Sequence, residues 1–311
     1  MSDVCLGIDT SNYTTSVSLL DQHGDLQQQK RLLPVPKGAL GLRQSDAVFH
    51  HTQQLPELLD ALWRRPFELV AVGASVTPCD AVGSYMPCFT VGAGAAQMLA
   101  RTHGVPLHRF SHQSGHIAAA LYGSGKMELR FAPFLAFHVS GGTTEVLLVK
   151  PHRERIFDSK LVAASLDLKG GQAVDRVGGM LGLEFPAGKA LETLALQWEE
   201  PCSVRPAMKG CDFSLSGVEN QCSAMLQQGR PKAEIARFCL EYLRASLEKC
   251  VQALQCQYGD LPLLFAGGVM SNSILRDAFT VGYGAYFAPP VFSADNAAGI
   301  AVLTALKEGW F

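Results

Sequence analysis

Three apolar runs, each closed by a glycine-bearing turn, recur in fixed order along this chain of 311 residues: Gly7-Ile8-Asp9-Thr10-Ser11, Ser140-Gly141-Gly142-Thr143-Thr144 and Ala266-Gly267-Gly268-Val269. The runs before them, residues 4–8, 134–139 and 261–265, read as buried strands. Glycine after a strand lets the backbone approach a ligand closely, and amides exposed there can cradle phosphate oxygens. Any one of these turns could be a plain tight connection. Three in order suit a two-lobed nucleotide site, with a phosphate loop from each lobe and a third loop for the base. Asp9, Ser140, Gly141, Gly142, Thr143, Gly267 and Gly268 are the candidates this pattern supplies.

A second chemistry lies between the first two turns. His112-Gln113-Ser114-Gly115-His116 runs into an Ile-Ala-Ala-Ala-Leu stretch that forms helix well, so the two imidazoles stand one turn apart on one face. Asp295, at the start of a C-terminal helix, is a candidate third ligand. Two histidines and a carboxylate suit iron(II) or zinc with positions left open for substrate, iron being favoured. The alternative is that His112 caps the helix and His116 packs on its face.

The hydrophobic fraction of 48% against 17% charged residues means that much of the chain is interior. Such a length fits two lobes. A net charge of −2 speaks against a general nucleic-acid binder, though not against a local basic patch. Nine cysteines without a CxxC pair read as reduced thiols and a cytoplasmic location. No apolar run is long enough to span a membrane, and the opening strand leaves no room for a signal peptide.

Strands at residues 4–8, 15–20 and 26–32 form a meander, and helices are expected at 52–63 and 89–103. The Gly123-Ser124-Gly125 break is the seam between an N-terminal lobe, residues 1–125, and a C-terminal lobe, residues 126–311, whose last helix packs back on the first lobe. The second lobe restarts with strands at 133–139 and 144–149, then helices at 170–181, 187–198, 233–258 and 271–278. Repetition of the strand, glycine turn, strand plan points to an internal duplication.

With these residues in view the sequence resembles the Kae1/TsaD family, the tRNA threonylcarbamoyladenosine synthase subunits once described as O-sialoglycoprotein endopeptidases. The marks are GIDTS at the start, HxxGH at 112–116, VSGG at 139–142, AVDRVGGMLGLEFPAGKALE at 173–192, CDFSLSG at 211–217, AGGVMSN at 266–272 and ADNAAGIA at 294–301. The resemblance implies an α/β fold of the sugar kinase, heat-shock protein and actin superfamily (ASKHA), two duplicated lobes with a ligand cleft. It implies transfer of a threonylcarbamoyl group from threonylcarbamoyl-AMP to N6 of an adenosine in tRNA. It also implies one divalent metal on His112, His116 and Asp295, and an adenine nucleotide near Val139, Ser140, Gly141, Gly142, Asp175, Gly188 and Asn272. TsaB- or TsaE-like partners or a homodimer are the expected assemblies, with no membrane. Taken as residues, Asp175 could hold a ribose or serve as a surface carboxylate or N-cap, Gly188 could be a plain turn, and Asn272 could cap its helix.

The chain departs from the family pattern in three places. Asn12-Tyr13-Thr14-Thr15 stands where the family carries Cys-Asp-Glu-Thr, Thr143 replaces a histidine, and the loop at 77–87 lacks a Gly-Pro-Gly pattern. Neither Tyr13 nor Thr14 can act as an ionised base at neutral pH. These departures mark a divergent paralogue, and the alternative function is a non-catalytic nucleotide-binding scaffold or regulator. A metallopeptidase is disfavoured, because the His pair lacks the Glu of an HExxH site.

Overall fold

The computed structural model describes every residue except 1, 12, 36–41, 65 and 294–296. In chain order the elements are β1 (Ser2–Asp9), β2 (Thr14–Asp21), β3 (Leu26–Leu32), α1 (Gln44–Leu62), β4 (Phe67–Thr77), α2 (Phe89–His103), β5 (Leu107–Ser111) and α3 (His112–Ser124). There follow β6 (Phe134–Val139), β7 (Thr144–His152), β8 (Ile156–Ala164), α4 (Gly170–Met180), α5 (Gly188–Ala195), β9 (Ala207–Lys209), β10 (Asp212–Ser214), α6 (Ser216–Gln227) and α7 (Lys232–Tyr258). The chain closes with β11 (Leu263–Ala266), α8 (Ser273–Tyr283), β12 (Tyr286–Phe287) and α9 (Ala298–Lys307).

Two compact units divide it. The first holds Met1–Arg130, Pro151–Asp158 and Val291–Phe311, the second Phe131–Lys150 and Ser159–Pro290. The division is therefore not a single cut after Gly125. The tip of the β7–β8 hairpin and helix α9 both belong to the first unit.

In the first unit the sheet order is β3-β2-β1-β4-β5, with β1 antiparallel to β2 and parallel to β4, and β4 parallel to β5. Leu55, Leu58 and Leu62 of α1, with Ala96 and Ala100 of α2, bury one face through Val4, Leu6 and Ile8. The other face carries α9, and two strand glycines make room for it. A Cβ on Gly7 would stand 2.4 Å from the Ala301 nitrogen, and one on Gly73 would stand 1.9 Å from Thr304 Oγ1. Gly7 is thus fixed by helix packing and not by a ligand. Helix α3 crosses α9 just as closely, since a Cβ on Gly299 would meet the Gly115 carbonyl oxygen at 1.8 Å.

The second unit repeats the path, with sheet order β12-β11-β6-β7-β8. As in the first, an antiparallel meander continues through the first strand into parallel neighbours. Helix α7 supplies about a third of its buried core residues, including the fully buried Tyr242, while Phe265 stacks between Phe137 at 4.5 Å and Phe287 at 5.2 Å.

Helix α1 starts at Gln44, well before the expected residue 52, because its early buried positions are Ala47 and His51, which give no apolar stripe. The β9–β10 hairpin, α6 and β8 escaped the sequence pattern. Their short or half-exposed runs lack alternation strong enough to register.

Candidate active site

Helix α3 leaves directly from the carboxyl end of β5, where open α/β sheets place their ligands. Its N-cap is Ser111, whose Oγ accepts from the Ser114 amide, so His112 does not cap the helix. His112 and His116 face one another with ring centroids 4.3 Å apart and planes at 72°. Asp9 ends β1 with 1% exposure, its Oδ2 lying 2.6 Å from His112 Nδ1 and its Oδ1 accepting from the Ser11 amide at 2.7 Å. A carboxylate only accepts, so the proton sits on Nδ1 and Nε2 of a neutral His112 keeps its lone pair. Carboxylate support of this kind fixes the ring and tautomer of a metal-ligating histidine. Asp295 lies outside the described residues. Among the described residues, no group of three or more His, Cys, Asp or Glu side chains is arranged to hold a metal.

Two further polar groups gather at this end of the sheet. Ser11 Oγ and Ser75 Oγ are buried without a hydrogen-bond partner, and the β1–β4 register, which pairs Ile8 with Ala74, puts Ser75 next to the Asp9 position. Unpaired buried hydroxyls are uncommon, and their presence beside a buried carboxylate supports a polar ligand here. Sequence spacing offered no signal for either.

Next to the departure at Tyr13 and Thr14, strand β2 makes a buried polar contact with α1. Thr14 and Thr15 are buried in β2. Thr15 Oγ1 donates to Gln54 Oε1 at 2.8 Å and is 2.8 Å from His51 Nδ1, while Gln54 Nε2 donates to the Leu32 carbonyl. The single Thr15 proton is used on Gln54, so Nδ1 of His51 must be the donor and its Nε2, buried and unpartnered, the bare lone pair. Burial holds the His51 pKa down at about 4, against an opposing pull from Asp9.

In the second unit the glycine turns come together. Gly267, at a φ of 99°, would place a Cβ 2.2 Å from the Val139 carbonyl oxygen, and a Cβ on Gly171 would stand 2.7 Å from the backbone of Gly141. Gly141, Gly142 and Gly268 are exposed, with nothing within 4 Å of a Cβ on any of them. The turn is held by Ser140, whose Oγ accepts from the Thr143 amide at 3.0 Å, and by Thr144 Oγ1, which accepts from Gly170 N at 2.8 Å. The result is a ledge of open backbone suited to phosphate oxygens.

Asp175 Oδ1 accepts from the Ala187 amide at 2.8 Å, anchoring the entry to α5 next to Gly188, which has only Val174 Cγ1 at 4.0 Å from its Cβ position. Asn272 Oδ1 caps α8 by accepting from Leu275 N at 3.2 Å. Glu192, a further anchor, accepts from both the amide and the hydroxyl of Ser273 at 2.7 and 2.5 Å and ties α5 to the start of α8.

The model of the family described as TsaD, tRNA N6-adenosine threonylcarbamoyltransferase, matches residues 42–302. The chain belongs to the TsaD family. A Thermus thermophilus tRNA N6-adenosine threonylcarbamoyltransferase is 33% identical over 310 residues, covering 96% of this chain and 90% of that one. The Methanopyrus kandleri protein of the same name is 29% identical, covering 96% and 86%. Among solved structures, HypF of T. kodakarensis superposes with a TM-score of 0.62 at 13% identity, covering 99% of this chain and 48% of that one. Component A of the (R)-2-hydroxyglutaryl-CoA dehydratase of Acidaminococcus fermentans gives 0.57 at 15%, covering 99% and 100%. These likenesses establish the two-lobed ASKHA fold. No described helix is long and apolar enough to cross a membrane.

Proposed function

We propose that this TsaD-family chain transfers a threonylcarbamoyl group from threonylcarbamoyl-AMP to N6 of an adenosine in tRNA, in the cytoplasm. The observation that carries the reading is the match over residues 42–302 to a family of threonylcarbamoyltransferases, in a chain that retains the paired His112 and His116 with Asp9 behind them. The exposed turn at Gly141 and Gly142 would receive the adenylate phosphate, and Gly268 with the Asn272 amide the base or ribose. The two imidazoles would hold one divalent ion, iron(II) before zinc, with Asp295 as the third ligand the family resemblance implies, and the Asp9 contact at Nδ1 would orient His112 for that role. Such an ion would act as a Lewis acid toward the donor carbonyl.

A second reading has a specific observation behind it. Where the family carries an acidic pair, this chain has Tyr13 and a buried Thr14, so a non-catalytic nucleotide-binding paralogue is the competing role. Labelled-threonine incorporation into unmodified tRNA, with the donor adenylate supplied and TsaB- or TsaE-like proteins added or omitted, separates the two. Turnover that disappears in His112→Ala supports the transferase. Adenine nucleotide binding with no incorporation under either condition supports the scaffold.

A further inference from the structure

Within the first unit a cavity of about 380 Å³, lined by neither Asp9 nor His112, opens at the carboxyl ends of β4 and β5. Its floor is the end of β5 and the first turn of α3, through Ser111 and Ser114. One wall is the end of β4 and the loop after it, with Thr77 and Asp80, and the other is the β7–β8 hairpin tip together with the end of α9, which bring Arg155 and Lys307. β5 is an edge strand, so this flank is not closed by another strand.

The lining mixes two chemistries. Arg109, Arg155 and Lys307 supply positive charge against Asp80 and Glu154, while His108 is paired with Glu308 at 2.6 Å and Arg155 with the exposed Asp158 at 3.0 Å, a surface pair that a phosphate can displace. Arg109 is exposed and, among the described residues, donates to Gln97 at 3.2 Å, and Lys307 Nζ donates to the Glu154 carbonyl. Along the floor Ser111 Oγ donates to Ser114 Oγ at 2.9 Å, and Ser114 Oγ to Asp80 Oδ2 on the first wall at 3.1 Å, an ordered line of hydroxyls ending on a carboxylate. Ile156, directly after Arg155, has a φ of 71°, which β-branched residues rarely adopt. That strained turn sets the hairpin tip carrying Arg155.

A bare anion would be repelled by Asp80, and an acidic peptide by both Asp80 and Glu154. A ribonucleotide offers what both walls require: a phosphate for the cations, and a 2′-hydroxyl or base amino group for the Asp80 acceptor. The volume is also that of a pocket for a unit of this size. We propose that this cavity binds a nucleotide of the tRNA backbone near the acceptor adenosine, and that Arg109, Arg155 and Lys307 are its phosphate contacts. The inference rests on the tRNA reading given above. Its position follows from the chain itself, because Ser111 on the cavity floor directly precedes His112.

The test is equilibrium binding of an unmodified tRNA transcript to the full chain over a salt series. It compares the wild type, Arg109→Ala, the triple Arg109→Ala, Arg155→Ala, Lys307→Ala variant, and Asp80→Asn. Each cation that meets a phosphate contributes about 0.7 to the slope of log K against log salt, so the triple variant is expected to lose up to about 2 from that slope and at least about tenfold in affinity. Its adenine nucleotide affinity should stay at the wild-type value, which also reports that it is folded. Asp80→Asn should narrow the preference for RNA over a DNA strand of the same sequence. Wild-type tRNA affinity and slope in both Arg109→Ala and the triple variant would overturn the cavity assignment while leaving the transferase reading intact. Absence of any tRNA binding by the wild type, with or without the partner proteins, would overturn both.

Discussion

His51 should make the first unit acid-labile in a way that can be calculated. It is fully buried, donates through Nδ1 to Thr15 and leaves Nε2 without a partner, so protonation would put an unpaired charge into the interior. Burial lowers its pKa from the ordinary 6.5 to about 4, while the nearby Asp9 charge opposes the shift. The unfolded chain therefore binds this proton more readily than the folded one. The stabilisation is complete above pH 6.5 and is lost progressively as pH falls toward about 4. The interval corresponds to about 3.4 kcal/mol in full, of which about 3 is lost by the lower value. That is a large part of the net stability of an ordinary domain. Urea unfolding at stepped pH should show it when the wild type is compared with His51→Asn, whose amide nitrogen can take the place of Nδ1 without titrating. The wild type is expected to lose about 3 kcal/mol more than the variant between pH 7 and pH 4. Parallel profiles would refute the reasoning, as would nitrogen chemical shifts showing His51 charged, or protonated on Nε2, at pH 6.

Other expected outcomes concern the His pair of the first unit, the glycine turns of the second and the helix that closes the first unit. Purified protein should carry about one equivalent of iron or zinc, measured by elemental analysis, and lose it in the His112→Ala, His116→Ala double variant; full occupancy there would remove these residues from the site. Asp9→Asn should weaken metal affinity by about 10- to 100-fold, as read by competition with a chelator. Gly142→Val and Gly268→Val place a side chain in the open space above the second-unit turns, so calorimetry should show weakened ATP or AMP binding with the thermal midpoint little changed. Gly7→Ala drives a methyl against the α9 backbone and should cost about 3 kcal/mol in denaturant unfolding, with nucleotide affinity a poor reporter of the change.

The strands ahead of the glycine turns were legible because long, nearly unbroken apolar runs belong to buried strands, and both parallel cores are built from them. The His pair was legible because helical spacing alone brings positions four apart together. Asp9 could be picked out as a turn residue, but its contact with His112 could not, since that depends on β1 and β5 being held apart by β4 in one sheet. His51 was hidden by its own burial: a polar residue in a core position erases the apolar stripe that would have announced the start of α1. Gly7 was assigned to a ligand turn although its reason is the approach of α9, nearly 300 residues later in the chain. Sequence spacing has no access to a contact of that separation.

The packing of α9 on β1 and β4 bears on how the protein is made. During synthesis the strands of the first sheet emerge early, with Gly7 and Gly73 leaving one face bare of side chains at the two points where a helix will lie. That face remains uncovered until residues 298–307 have left the ribosome, while the intervening second unit can fold first as a piece of its own. The first unit is thus predicted to be the later one to reach protease resistance on the ribosome, although it is the first to be translated.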